Sequence, residues 1–265
     1  MFLRRGVLAM RDGRQVAHVW CRTVSEEPGS GGGLRPADVE WALSTSELQR
    51  RETLRRSSDR ALFTAAWGLV RHALSEVEPR VGPHEWRFLR SGLGRPEVYA
   101  PEWCRSLRFN LSHTDGTVAC VVTRDLRCGV DVERPVRTLP LHRLTRSVLS
   151  PREQREFDAA PAGRRRELFF RYWTVKEAYL KAIGSGMRFP MTACEFDVGT
   201  GRPRLRSLGA GTEHARYTFR QWAGRDGAML AVAVQGVTGR GPERDVAVRV
   251  RTLRPREGSP QPPAF

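Results

Sequence analysis

Phe169–Met187 reads FFRYWTVKEAYLKAIGSGM, and it holds both lysines of a chain whose Lys and Arg side chains number 45. Every other member of that set is arginine. Lysine kept at two positions amid such a drift marks places where a compact, mobile point charge is needed and a planar fork does not serve. Read as a helix over about 163–183, the stretch sorts into two faces. Leu168, Tyr172, Val175, Tyr179 and Ala182 recur at spacings of four, three, four and three, an apolar stripe. Phe170, Trp173, Glu177 and Lys181 lie opposite, and Gly184 and Gly186 stop the helix because glycine accepts the left-handed cap. A purely solvated back face would not carry Phe170 and Trp173. The helix therefore reads as covered on both sides, with one acid and one base inside the second contact. Lys176 falls about 100° away on the wheel. The sequence gives it no role beyond steadying a carboxylate, so Lys176→Arg is expected to be tolerated better than Lys181→Arg.

The remaining composition narrows the class. The 265 residues are 40% hydrophobic and 28% charged, those of a globular chain large enough for a sizeable core. No apolar run approaches the roughly 18 residues of a membrane span, and MFLRRGVLAM is too short in apolar residues for a secretory leader. Five cysteines (Cys21, Cys104, Cys120, Cys128, Cys194) show neither CxxC pairing nor an even framework, as in a reduced cytoplasmic protein without a thiolate metal site. The net charge of +16 calls for an anionic partner. Nucleic acid is disfavoured, since the arginines are scattered and no basic block interleaves with aromatics. A phosphorylated small molecule or an acidic protein surface fits the charge equally well.

Along the chain, residues 1–14 read as an extension and 15–24 as a strand. A Gly-rich loop at 26–33 and helices near 36–55 and 58–77 follow. Strands are expected at 85–90 and 107–111, the latter ending in a loop at Ser112-His113-Thr114. Residues 117–123 and 128–133 alternate as a hairpin around 124–127. Ser150-Pro151-Arg152-Glu153 has the spacing of a capping box. Four strands are expected between 194 and 234, then a mobile Arg/Pro/Gly-rich tail from 239 in which 246–250 could form an edge strand. Leu62-Phe63-x-x-x-Trp67 with Leu74 echoes Leu168-Phe169-x-x-x-Trp173 with Leu180. The fold class is thus α+β, a pseudo-dimer of two similar halves, 15–115 and 116–238.

Candidate chemistry gathers in three places. Asp131 and Glu133 stand two apart on a strand and share one face, while Val130 and Val132 turn into a core. With Glu177 from the helix, they could converge on a hard divalent cation such as Mg2+. His113 can donate to a phosphate oxygen or move a proton, and Ser112 adds a hydroxyl. GxSxG, the P-loop and GxGxxG are all absent.

Gly94-Arg95-Pro96, FNLSHT (109–114), GVDVE (129–133) and WTVKEAYLKAIGSG (173–186), in this order, resemble the 4′-phosphopantetheinyl transferases of the surfactin-synthetase-activating type. The resemblance spans about 15–235. It implies a coenzyme A and Mg2+ (or Mn2+) site between the halves. It also implies transfer of the phosphopantetheine arm to a serine of an acidic acyl or peptidyl carrier protein, releasing adenosine 3′,5′-bisphosphate. By position it makes Asp131, Glu133 and Glu177 the metal ligands and sets Lys181 and His113 on the phosphates. Glu177 would also help to deprotonate the serine. Arg95 and Pro96 would lie against the adenine, and Arg60 with Ser112 near the 3′-phosphate. The family pattern has GKP and FNxSHS where this chain has Arg95 and Thr114; the cation and the hydroxyl are both kept. The competing readings are a nucleic-acid-binding protein and an inactive, carrier-binding homologue.

Overall fold

The computed structural model describes residues 15–25, 33–92, 94–135, 140–185, 189–199, 202–208, 216–224, 227–236, 246–251 and 253. The expected extension at 1–14, nearly all of the Gly-rich loop, Gly186 and most of the tail lie outside them. The first half runs β1 (Val16–Thr23), α1 (Pro36–Val39), α2 (Thr45–Glu52), α3 (Ser57–Val77), β2 (Arg87–Arg90), β3 (Pro96–Ala100), β4 (Leu107–Thr114) and β5 (Thr117–Arg124). The second runs β6 (Cys128–Glu133), α4 (Leu141–Val148), α5 (Pro151–Ala159), α6 (Ala162–Ile183), β7 (Cys194–Asp197), β8 (Arg204–Leu208), β9 (Tyr217–Ala223) and β10 (Met229–Gln235). A last strand, β11 (Ala247–Arg251), follows. The strand order is β1-β5-β4 in one sheet and β6-β10-β9 in the other, and the hairpins β2–β3 and β7–β8 hold matching places. The α+β chain is one topology used twice.

Each sheet presses one face onto its long helix and the other onto its partner sheet. Trp20, Val118, Cys120, Val122 and Phe109 pack against α3. Ala231, Ala233 and Phe219 pack against α6. Between the sheets lie Ala17, Val19, Ala119, Val121, Val130, Val132, Leu230 and Val232. The layers are helix, sheet, sheet, helix. This sandwich explains why β5 is buried at seven of its eight positions, and it corrects the expected hairpin. Residues 117–124 pair with β1 and β4, whereas 128–133 pair with β10. The chain changes sheets at 125–127, where Asp125 takes a left-handed φ of 58°. The edge strand expected at 246–250 is present as β11, which runs parallel to β1 at the edge of the first sheet, its register set by Val16 opposite Ala247.

Repetition extends to a pair of clamps. Ser44 and Ser150 cap α2 and α5, each in a capping box with the glutamate three residues on, Glu47 or Glu153. In the first half Arg71 of α3 reaches Glu47 and the carbonyls of Pro83 and Trp86. In the second, Lys176 of α6 reaches Glu153 and the carbonyls of Val148 and Met191. Arg71 and Lys176 stand 105 residues apart, so the repeat in the long helices is one residue off the echo of Trp67 with Trp173. Trp67 matches the buried Tyr172 instead. What recurs is burial and the clamp rather than residue identity.

Candidate active site

The acidic centre forms where β6 lies between α6 and β4. Alternation sends Val130 and Val132 into the inter-sheet core and leaves Gly129, Asp131 and Glu133 facing α6. Gly129 has to be glycine, because a Cβ there would run into Ala178 O and Ala182 N of α6. That close approach brings Lys181 onto Asp131, with Nζ 2.7 Å from Oδ1. Nζ also donates to Ser112 Oγ at 3.0 Å and to Val130 O at 3.2 Å.

β4 and β6 belong to different sheets, and side chains of β4 bridge them. Asn110 Oδ1 accepts from Val130 N at 3.0 Å. Ser112 Oγ donates to Asp131 Oδ1 at 2.9 Å and accepts from Val132 N at 3.4 Å. Thr114 Oγ1 donates to Glu133 Oε2 at 3.2 Å. Ser112-His113-Thr114 therefore ends a strand and is not the loop expected from sequence, because these hydroxyls and the amide of Asn110 tie β4 to β6 along its length.

Electrostatics single out the same group. Asp131 is 3% exposed, and its Oδ2 has no hydrogen-bond partner among the described residues. An orphaned carboxylate oxygen in a buried site is a standing demand for a cation or a donor. Burial raises the Glu177 carboxyl above its ordinary value, the charge of Asp131 adds to this, and Lys181 opposes it. Two acids that resist sharing a site suit a hard cation. The full triplet expected from sequence is not assembled: among the described residues no three His, Cys, Asp or Glu side chains gather to hold a metal. Lys181 already occupies Oδ1 of Asp131, and Glu133 is tied to Thr114. Asp131 and Glu177 suit such an ion, while Glu133 accepts from Thr114. His113 is exposed on the other face of β4, and its imidazole is held below its ordinary value by lost hydration and then by Lys181, with Asp59 and Asp131 opposing.

Three residues expected on the coenzyme have partners within the chain. Arg95 spends its guanidinium on the carbonyls of Lys181, Phe109 and Cys128, at 2.7, 3.1 and 2.9 Å, stapling the halves rather than facing an open site. Arg60 donates to Leu54 O and Arg55 O and lines a cleft of about 370 Å3 whose lining does not include Ser112. Ser112 is buried among Asp131, Lys181 and β6. Pro96, the neighbour of the staple, edges a larger cleft of about 910 Å3 with Arg50, Arg87, Arg90, Phe63 and Phe88. Cations and aromatic faces together suit a phosphorylated nucleotide. No short motif joins these residues, and sequence reasoning missed them.

Residues 127–233 match the family model of the 4′-phosphopantetheinyl transferase superfamily. The chain is 33% identical over 171 residues to the 4′-phosphopantetheinyl transferase HetI of Nostoc sp., covering 64% of this chain and 69% of that one. It is 31% identical over 212 residues to a phosphopantetheinyl transferase of Thraustochytrium sp., covering 75% and 72%. The chain belongs to the 4′-phosphopantetheinyl transferase superfamily. Among solved structures it is similar to the holo-[acyl-carrier-protein] synthase of Thermotoga maritima, with a TM-score of 0.35 and 26% identity over 41% of this chain and 61% of that one. The family model begins at Arg127, two residues before GVDVE, and ends within β10. It thus covers the half of this transferase that carries Asp131, Glu133, Glu177 and Lys181. The strand β4 and its hydroxyls come from the other half.

Proposed function

We propose that this chain transfers the 4′-phosphopantetheine arm of coenzyme A to a serine of an apo carrier protein, as a two-half enzyme of the surfactin-synthetase-activating type. The observation that carries the reading is the Asp131–Lys181–Ser112 group beside Glu177, seated where β4 of the first half meets β6 and α6 of the second. In the transfer the serine hydroxyl attacks the phosphorus bearing the pantetheine arm. The new Ser O–P bond replaces the P–O bond of the pyrophosphate, adenosine 3′,5′-bisphosphate leaves, and the serine proton passes to a base.

Asp131 and Glu177 would hold a Mg2+ ion, and the ion would neutralise charge on the pyrophosphate. Lys181 contributes a fixed ammonium on the same side, oriented by three hydrogen bonds. His113, exposed on β4, can donate to a phosphate oxygen. Glu177, whose proton affinity is raised, is the candidate acceptor of the serine proton. The nucleotide end would occupy the cleft beside Pro96, with Arg50, Arg87 and Arg90 toward its phosphates. An acidic carrier protein matches the +16 charge. Incubation with coenzyme A, Mg2+ and an apo carrier protein tests the reading by mass spectrometry. A gain of the phosphopantetheine arm is expected; carrier binding without that gain would make the chain an inactive homologue.

A further inference from the structure

We propose that strand β11 is a strap: it covers the first half's counterpart of the candidate site and fastens the edge of the sheet sandwich opposite that site. The inference rests on the fold alone and goes beyond the transferase reading. The repeat that matches Arg71 with Lys176 also matches Glu76 with Lys181, which stand the same 105 residues apart, and the strand order matches β1 with β6. Each half joins its first strand to the last turns of its long helix by a polar contact. In the second half Lys181 Nζ reaches Asp131 Oδ1. In the first, Trp20 Nε1 donates to Glu76 Oε2 at 3.3 Å. An indole has one donor and no acceptor. Trp20 therefore offers a cation nothing, where Asp131 leaves Oδ2 over.

The two first strands also differ in what lies along them. β6 is the edge of its sheet, and β4 of the other half meets it through side chains such as Asn110. β1 has β11 on its outer edge, paired in parallel from Val16 with Ala247 to Trp20 with Arg251. Val246, which leads into β11, is 1% exposed in the inter-sheet core, and its N–H donates to Thr218 Oγ1 of β9 at 3.1 Å. The segment thus holds a strand of each sheet. Arg251 Nε donates to His18 Nδ1 at 3.0 Å, and Arg22 reaches Leu253 O at 3.4 Å. Leu253 packs on the core beneath α3. The sandwich is therefore fastened at both edges, by side chains where β4 meets β6 and by β11 where β1 faces β9. With the second edge released, the side-chain bonds between β4 and β6 alone hold the halves, and they open more often. Asp131 and Lys181 sit at that remaining edge, so the strap steadies the site from the far side of the molecule.

Amide hydrogen exchange of the full chain, read residue by residue at neutral pH without coenzyme or metal, tests this. Val246→Asp puts a charge into the inter-sheet core and so releases the strap. It is expected to speed exchange at least about ten-fold in β1 and β11 and also at Val130, whose amide Asn110 holds. Amides in the middle of α6 should keep their wild-type rates. Thr218→Val removes only the acceptor on β9. It should act in the same direction to a smaller extent, which keeps the test open should Val246→Asp fail to fold. Val250→Asp, at a 58% exposed position on β11, should change none of these rates. Faster exchange in β1 and β11 with Val130 at its wild-type rate would break the link to the site and overturn the proposal. Wild-type rates throughout, or a uniform rise that includes α6, would overturn it as well. These rates decide the strap whether or not the chain transfers the phosphopantetheine arm, so the two readings fail separately.

Discussion

Lys176 Nζ stands 2.5 Å from Glu153 Oε2, and neither side chain is exposed. Five residues further along α6, Lys181 reaches Asp131 at the rim of the site with 28% of its side chain exposed. The two lysines of the chain therefore do different work. Burial gives Lys176 a structural role of its own, so Lys176→Arg is expected to act on stability rather than on turnover. A larger planar group must fit a site that accepts three contacts to a compact ammonium. Lys176→Arg is expected to lower stability by about 1–3 kcal/mol. Lys176→Met, which strands the Glu153 charge, should lower it by roughly 3–5 kcal/mol. Lys181→Arg should fold normally and lose on the order of 10²-fold in kcat. Urea midpoints and single-turnover rates separate these effects, and matching profiles for the two lysines would contradict the assignment.

Gly129→Ala tests the closeness of β6 to α6. The added methyl meets Ala178 O and Ala182 N, both backbone atoms of α6, so the helix has to move. A loss of about 1–3 kcal/mol is expected, together with a fall in turnover as Lys181 shifts from Asp131. A variant with wild-type stability and turnover would mean that this contact does not set the site's geometry.

Glu177 links stability to activity in opposite directions. Its carboxyl is raised above the ordinary value of 4.5, first by burial and then by Asp131. The folded state therefore binds this proton more tightly than the unfolded state. Its stabilising effect is full below pH 4.5 and is lost as pH rises through the raised value. In metal-free protein, Glu177→Gln should melt at or above the wild-type temperature at pH 7. Transfer should fall at least about 10²-fold. Thermal melts across pH 4–8 decide it: a variant less stable than wild type at neutral pH would show that the carboxylate is stabilised in place.

The acidic carrier protein proposed above would be steered by the +16 charge. The ratio kcat/KM should fall as salt rises from about 0.05 to 0.2 M, chiefly through association. Stopped-flow association rates measured over that range provide the check. A flat profile would leave the charge a by-product of arginine usage.

Much of this was legible in residues whose partners are local. The capping box at Ser150, the left-handed stop at Gly184 and the alternation in GVDVE need only neighbours within a few positions. The covered back face of α6 was readable too, from Phe170 and Trp173 beside Glu177. Tertiary structure decided what depends on distant partners. Residues 117–124 and 128–133 alternate as a hairpin would, yet each found more apolar surface to bury in a different sheet. Arg95 carries a charge suited to a phosphate, yet three backbone carbonyls from two halves converge on it first. Ser112 offers a hydroxyl to any acceptor, and only the packing of β4 against β6 assigns it to Asp131. Sequence fixes which groups a chain can offer and the local geometry in which it offers them. Which partner takes each group depends on contacts between residues far apart in the chain, and their spacing along the sequence does not record those contacts.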